Sequence, residues 1–445
     1  MGMKDALAQD LTDPHSRPGW LRSGWLWAGT LVVVLAVAGL VAALVVAAPS
    51  PSARDQRWRR DIAYLASQLP QVRVDVLGTV PPSAWNAAAR RLESQVPRLS
   101  NGQIVVGMSR LVAMLHDDET QVNLPSQPIY QLQAQFFGSG LYLLAVPPAE
   151  RSLLGARLLA INGLPIRQVL ARIRPVIDAQ DAQLLIDKEL GALDEAYLLH
   201  WLGITKSATT ARFTVRTVTG RQQTVRLTAT GSADLVFADF LTLPADLAHV
   251  PLPLYQQHAG SPYWMQVLPA QRAVYLKYNQ CLTTDGFQQL AARALAVLRA
   301  NPGYRLIVDF RGNGGGNTAP FDSLIAGLRA DPAINRRGRV FGLVDHFTDS
   351  AATADAYELA QETNAILIGQ DPSDPIGEWG NDQFFRLPES QITVGYTTLM
   401  INDNPSQVRF GIPDIMVNPT LRQVLAGDDP VLARALAYGQ AGLAK

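Results

Sequence analysis

Three segments repeat apolar residues at intervals of three and four. Arg57–Leu69 carries Ile62, Leu65, Ala66 and Leu69, and Pro82–Val96 and Asn101–Leu115 follow the same period, which predicts three amphipathic helices. From about Ile129 to Leu235 the period shortens to two. Leu141–Val146, Arg157–Ile161, Ala211–Val218 and Gln223–Ala229 read as strands, interrupted by a helical stretch, Asp178–Trp201, with an Asn-Gly turn at Asn162-Gly163. Beyond Tyr263 the two periods alternate. Strands Ala273–Tyr278, Arg305–Phe310, Arg339–Val344 and Ala365–Ile368 are separated by helices Asp285–Ala300, Ala319–Arg329 and Ala351–Thr363, the signature of βα units around a mainly parallel, buried sheet.

One further run has no period. Trp25–Ala48 is apolar throughout and holds no charged residue; as a helix it spans roughly 36 Å, enough to cross a hydrocarbon core of about 30 Å with some tilt. Trp20, Trp25 and Trp27 mark one interface, and the run exceeds a signal-peptide core, so an uncleaved single-pass anchor is expected. Lys4, Arg17 and Arg22 precede it and Arg54, Arg57, Arg59 and Arg60 follow it, a count that leaves the orientation open. The expected layout is a polar tail over 1–24, a transmembrane helix over 25–48, a helical subdomain over 49–125 opened by a linker at Pro49–Ala53, a small β-domain over 126–235, and an α/β core over 236–445.

Composition narrows the partners. Lys and Arg together number 38, as do Asp and Glu, so no whole-molecule field attracts nucleic acid. A single cysteine, Cys281, rules out a disulfide framework and any multi-cysteine metal site. His200, His249 and His258 have no ligand spacing, so neither metal nor cofactor is expected.

Two segments carry candidate chemistry. In RLIVDFRGNGGGN (Arg305–Asn317) an apolar strand ends in Asp309, Arg311 and Asn313, and glycines follow that let backbone N–H groups approach an anion. The spacing matches neither a Walker motif nor GxGxxG. In the second, a strand ends near His346, Ser350 stands at the turn, and a helix of small residues begins at Ala351. A serine there serves as a helix N-cap or as a nucleophile with the Ala351 amide facing an oxyanion.

Together these segments resemble the tail-specific (C-terminal-processing) and tricorn-type serine peptidases. Asp309, Arg311, Asn313, Gly315 and Gly316 match that family's Asp-x-Arg-x-Asn-x-Gly-Gly motif, and Ser350-Ala351 its nucleophile turn, with Gly369 at the following glycine. Gly155–Ile166 resembles its PDZ-like insertion and Gly411–Leu436 its closing segment. The resemblance implies a spiral ββα (crotonase/ClpP-like) core with a PDZ-like β-insertion and a helical N-terminal subdomain. It also implies an extracytoplasmic large domain on the cell membrane and a polypeptide substrate attacked by Ser350, with the oxyanion held by Ala351 and Gly315 or Gly316. It leaves the oligomeric state open.

The base departs from the pattern. The register of the tail-specific lysine falls on Pro375, and no lysine occurs between Ser350 and Ala444; the tricorn-type Asp-Gly-His-Thr is matched by Asp117-Asp118-Glu119-Thr120. Substitutes are Glu119, with His116 nearby, and His346, which a straight strand would hold about 13 Å from Ser350. Two functions follow: a membrane-anchored serine peptidase with an unusual base, or an inactive pseudo-peptidase that binds polypeptide tails or apolar ligands.

Overall fold

The structure, a computed structural model, describes residues 51–439 except 73–79, 118, 125–126, 139, 180–181, 232–240, 244–245, 247–249, 283–284, 373–378 and 401–412. Trp25–Ala48, Pro375 and His249 lie outside the described residues. Among those described, no helix is long and apolar enough to cross a membrane. The described chain divides into two compact units. One takes the residues up to Thr242 together with 379–400, the other 243–372 and 413–439.

In the N-terminal unit, α1 (Pro51–Val72), α2 (Pro82–Gln95) and α3 (Asn101–Val112) realise the three expected helices. The first begins earlier than expected, inside the linker at Pro49–Ala53, because a proline at the first helical position loses no hydrogen bond and already has a helical φ. Ser100 and Gln103 form a reciprocal capping box at the start of α3. Gly107 lets α3 lie directly on α2, since a Cβ there would stand 2.3 Å from a Leu92 methyl. Ile62 and Leu65, Trp85 and Leu92, and Ile104 and Met108 form one core with Val122, Leu387 and Val394.

The last three core residues come from the strand β1 (Gln121–Val122) and from the region of an antiparallel hairpin made by β15 (Gln383–Arg386) and β16 (Thr393–Tyr396), with β1 paired on β16. Residues 379–400 therefore belong with the N-terminal helices, unlike the 236–445 core expected from the sequence. The short pair β14 (Trp379–Gly380) and β17 (Leu399–Met400) belongs to the same excursion.

The small β-domain of this unit is an antiparallel sheet in the order β2 (Gln133–Phe137), β3 (Gly140–Val146), β4 (Arg157–Ile161), β6 (Thr210–Arg216), β7 (Gln222–Thr228). On its flanks β5 (Leu164–Pro165) pairs with β4 and β8 (Leu241–Thr242) with β3. The β4–β5 turn is the Asn-Gly hairpin, with Asn162 and Gly163 both at positive φ, as a two-residue type I′ connection requires. Helices α4 (Ile166–Ile173), α5 (Ala182–Ala192) and α6 (Ala196–Trp201) fill the interval before β6.

The C-terminal unit is built on one six-stranded sheet in the order β18 (Ile415–Met416), β13 (Ile366–Gly369), β12 (Val340–Val344), β11 (Arg305–Asp309), β10 (Ala273–Tyr278), β9 (Tyr263–Leu268). From β10 to β18 every neighbour is parallel; only β9 runs antiparallel, at the edge. Helices α7 (Asp285–Ala300), α8 (Asp322–Arg329) and α9 (Ala351–Glu362) make the crossovers and bury Phe287, Leu324, Leu328 and Leu359 against Val274, Leu276, Leu306 and Val308. On the opposite face Tyr275, Ile307, Phe341 and Leu343 meet Val431, Leu432 and Ala435 of α11 (Pro430–Leu436), which follows α10 (Leu421–Ala426). Strands covered on both sides read as apolar runs, which is why their sequence signal is strong.

Asp61 in α1 is fully buried, and its carboxylate accepts the amides of Glu389 and Ser390 at 2.8 Å each, fixing the β15–β16 turn. Asp61→Ala strands both donors. It is expected to cost about 2 kcal/mol, seen as a lowered denaturant midpoint for this unit, with an unchanged midpoint refuting the tie.

Candidate active site

Ser350 opens α9 in a conformation that L-residues seldom adopt, with φ 52° and ψ −128°. It is exposed, and its side chain makes no capping hydrogen bond, so the N-cap reading does not hold. The turn is instead braced from inside. Asp345 accepts the amides of Gly312 (3.0 Å) and Phe347 (3.1 Å), Thr348 donates to the Phe310 carbonyl (3.3 Å), and Thr353 donates to the Thr348 carbonyl (3.0 Å).

The glycine loop lies against this turn. The Asp349 amide donates to the Asn313 carbonyl (2.9 Å), and a Cβ on Gly315 would stand 2.7 Å from Ser350 Cβ and 3.0 Å from the Ala351 nitrogen. Gly315 and Gly316 have φ 92° and 134°, and a Cβ on Gly316 would strike the Cys281 carbonyl at 2.2 Å. Both positions therefore exclude a side chain on two counts.

The two expected oxyanion glycines are not equivalent. The Gly315 amide donates to the Asn313 side chain at 2.9 Å, which removes it as a donor. Gly316 is exposed, and neither its amide nor that of Ala351 has a partner among the described residues. Asn313 is held in turn by donating to the Tyr278 carbonyl (2.9 Å), with the buried Cys281 Sγ at 3.5 Å and Asp355 beyond it, 3.6 Å from the same sulfur.

Below the loop lies a group of four charges, three of them buried and Asp429 partly so. Lys277 and Asp309 are register partners on β10 and β11, with no exposure in either side chain. The Lys277 ammonium donates to the carbonyls of Arg311 (2.6 Å) and Asp309 (3.2 Å). Arg311 donates to Asp309 (2.6 Å) with one edge and to both oxygens of Asp429 (2.9 and 2.8 Å) with the other, while its plane lies 4.1 Å from the Tyr255 ring centre. Tyr275 adds a donor to Asp309 at 2.7 Å.

Burial draws the Lys277 ammonium down to about 8, against the pull of Asp309. Burial alone would raise Asp309, but Arg311 and Lys277 outweigh it and hold its carboxyl below the usual range. Burial together with the Asp309 charge raises the Tyr275 hydroxyl. Lys277, Tyr255 and Asp429 were missed from sequence. A lysine within the six buried residues of β10 is a visible anomaly, and an Asp before Pro430 marks a helix start, but nothing in the chain pairs Asp429 with a residue 118 positions earlier.

The two substitute bases fall in different units. His346 is buried in the C-terminal unit with Ser350, its ring 4.0 Å from that of Phe347 and hydrogen-bonded to Gln370. Burial lowers its proton affinity. Glu119 belongs to the N-terminal unit, half-exposed, its amide donating to Asp117 at 3.1 Å. Asp117 is buried, accepts from Thr397 at 2.9 Å and is also bonded to Thr120, so this aspartate ties Glu119 and Thr120 to the strand region of Thr397; Asp118 lies outside the described residues. The neighbouring His116 is exposed, with φ 51°. Among the described residues no acidic, His or Cys cluster could hold a metal ion.

No family model and no curated protein matches the chain in sequence. Solved structures do match. Mature CPAF is similar with a TM-score of 0.58 at 12% identity, over 87% of this chain and 99% of its own. Mature CPAF complexed with lactacystin gives 0.58 and 12% over 86% and 99%. The photosystem II D1 C-terminal processing protease aligns over 86% of this chain and 98% of its own, at 14% identity, with a TM-score of only 0.39. At such identities the likeness to CPAF is one of fold alone: a mixed α/β chain.

Lys277 gives a pH test. Its folded pKa lies below its unfolded value, so between about pH 8 and 10.5 the unfolded chain binds a proton that the folded one lacks, and this residue's contribution to stability rises with pH. Over that window the stability of the native chain relative to Lys277→Met should climb by on the order of 3 kcal/mol. Denaturant midpoints of both proteins at the two pH values measure it, and a constant difference would rule out a depressed Lys277.

Proposed function

We propose that the chain is a serine peptidase of the tail-specific/tricorn type that cuts polypeptides through attack by Ser350. The observation that carries this reading is the strained, uncapped Ser350 hydroxyl beside the unpartnered amides of Ala351 and Gly316. A serine held against its conformational preference with no hydrogen bond in return fits a nucleophile rather than a cap. The fold shared with CPAF supports the same assignment.

In this mechanism the Ser350 oxygen adds to the scissile carbonyl carbon and its proton leaves to a base. The carbonyl oxygen gains charge and receives the Ala351 N–H, at the positive end of α9, and the Gly316 N–H. Collapse expels the amine, which takes the proton from the base as the C–N bond breaks, and water, deprotonated by the same base, then adds to the acyl-enzyme and releases Ser350 with its proton restored. The resemblance assigns the base to Glu119, with His346, in the same unit as Ser350, as the second choice. The spiral ββα core and PDZ-like insertion belong to the same reading. So does a single-pass anchor at Trp25–Ala48, holding the large domain outside the cytoplasm.

A pseudo-peptidase that binds polypeptide tails is the second reading, favoured by Pro375 at the lysine position and the lack of any lysine from Ser350 to Ala444. A fluorophosphonate probe separates the two. Under the peptidase reading it labels the wild type, Ser350→Ala abolishes labelling, Glu119→Gln slows it about a hundredfold or more, and lactacystin, which mature CPAF binds, competes. An unlabelled wild type that binds peptides saturably would instead establish the binding module.

The anchor has its own test. The full chain should stay with the membrane fraction after a carbonate wash, and protease added to intact cells should digest the large domain. Protection until the membrane is permeabilised would reverse the orientation.

A further inference from the structure

The geometry points to Asp429, at the start of the closing helix, as a positioning residue for the oxyanion loop, so that the seating of α11 governs the shape of the site at Ser350. This rests on the peptidase reading for its catalytic meaning but on hydrogen bonds alone for its structural one.

A continuous chain of contacts runs within the C-terminal unit. Asp429 caps α11 by accepting the Leu432 amide at 2.9 Å, and the same carboxylate takes both outer nitrogens of Arg311. That bidentate grip fixes the Arg311 side chain in plane, with Asp309 on its inner edge and Tyr255 on its face. The Arg311 backbone is held at the same point, its carbonyl on Lys277 and its amide on Asp309 at 3.0 Å. Two residues on, Asn313 takes the Asp349 amide on its carbonyl and the Gly315 amide on its side chain. The loop thus has no slack between Arg311 and the turn that carries Ser350.

The pairing of Arg311 gives Asp429 its leverage. The buried guanidinium is shared between Asp309 and Asp429, and removing the Asp429 carboxylate leaves its outer edge unpaired, which is relieved by movement or hydration of the segment that carries Arg311. A residue that only capped α11 would loosen α11.

Hydrogen exchange read by mass spectrometry on the full chain in detergent distinguishes these roles. Asp429→Asn keeps an acceptor for the cap but loses the charge, Asp429→Glu keeps the charge, and Leu432→Ala weakens the same helix without touching the pair. In Asp429→Asn, peptides covering 312–317 and 346–352 should exchange roughly tenfold faster, with Asp429→Glu restoring part of the protection. Leu432→Ala should loosen 430–436 and leave the loop protected. Equal acceleration of the loop in Asp429→Asn and Leu432→Ala, or none in Asp429→Asn, would overturn the proposal.

Fluorophosphonate labelling adds the catalytic arm. The rate for Asp429→Asn should fall about tenfold or more, with the half-saturating probe concentration unchanged. An unlabelled wild type would count against the peptidase reading while the exchange result still decides the role of Asp429.

Discussion

Pairing of two buried cations with the buried Asp309 and the partly buried Asp429 carboxylate is the constraint on which the candidate site depends. Lys277, Asp309, Arg311 and Asp429 stand where the parallel strands end and the glycine loop begins. Each charge is costly alone in that environment, and the group is tolerable only as a neutral whole with its donors and acceptors satisfied. Its backbone bonds turn that neutrality into geometry. Because the Lys277 ammonium grips two carbonyls of the loop, the glycines that follow are placed by an electrostatic balance rather than by side chains of their own, which they cannot carry.

Sequence pattern reached far into this architecture where periodicity had one cause. Strands covered on both faces must be apolar throughout, so β10 to β13 stood out, and the Asn162-Gly163 hairpin follows from the positive φ those two residues tolerate. The motif residues Asp309, Arg311 and Asn313 and the turn at Ser350 were legible for the same reason, since glycines and a small-residue helix leave a local signature. What pattern could not reach was pairing across long separations. It placed 379–400 with the C-terminal core, because two short strands and a turn look alike in either unit; the Asp61 carboxylate, the β1–β16 pairing, the Thr397–Asp117 bond and the shared apolar core show where they dock. Nor does a Gly-Gly pair announce that the Gly315 amide serves Asn313, leaving Gly316 to face outward.

A donor pair and a base make different demands on a chain. Backbone amides need only a turn that exposes them and a neighbour without a Cβ, and both survive wide change in the surrounding side chains. A base needs one side chain of suitable proton affinity within hydrogen-bonding reach. A fold shared at 12% identity therefore speaks to the backbone frame and not to any proton acceptor.

The pairing of β1 with β16 joins Gln121 to Gly395 and Val122 to Val394. During synthesis the N-terminal helices emerge long before the hairpin that completes their core, and the whole C-terminal sheet up to β13 is made in the interval. Until then the apolar face formed by residues such as Trp85, Ile104 and Val122 has no cover from Leu387 and Val394. A ribosome-bound chain of this design exposes that face for the time needed to translate more than 250 residues, on the order of tens of seconds. The early helices are thus natural clients for a holding chaperone, and the N-terminal unit, though first in sequence, cannot close its core until β16 has been made.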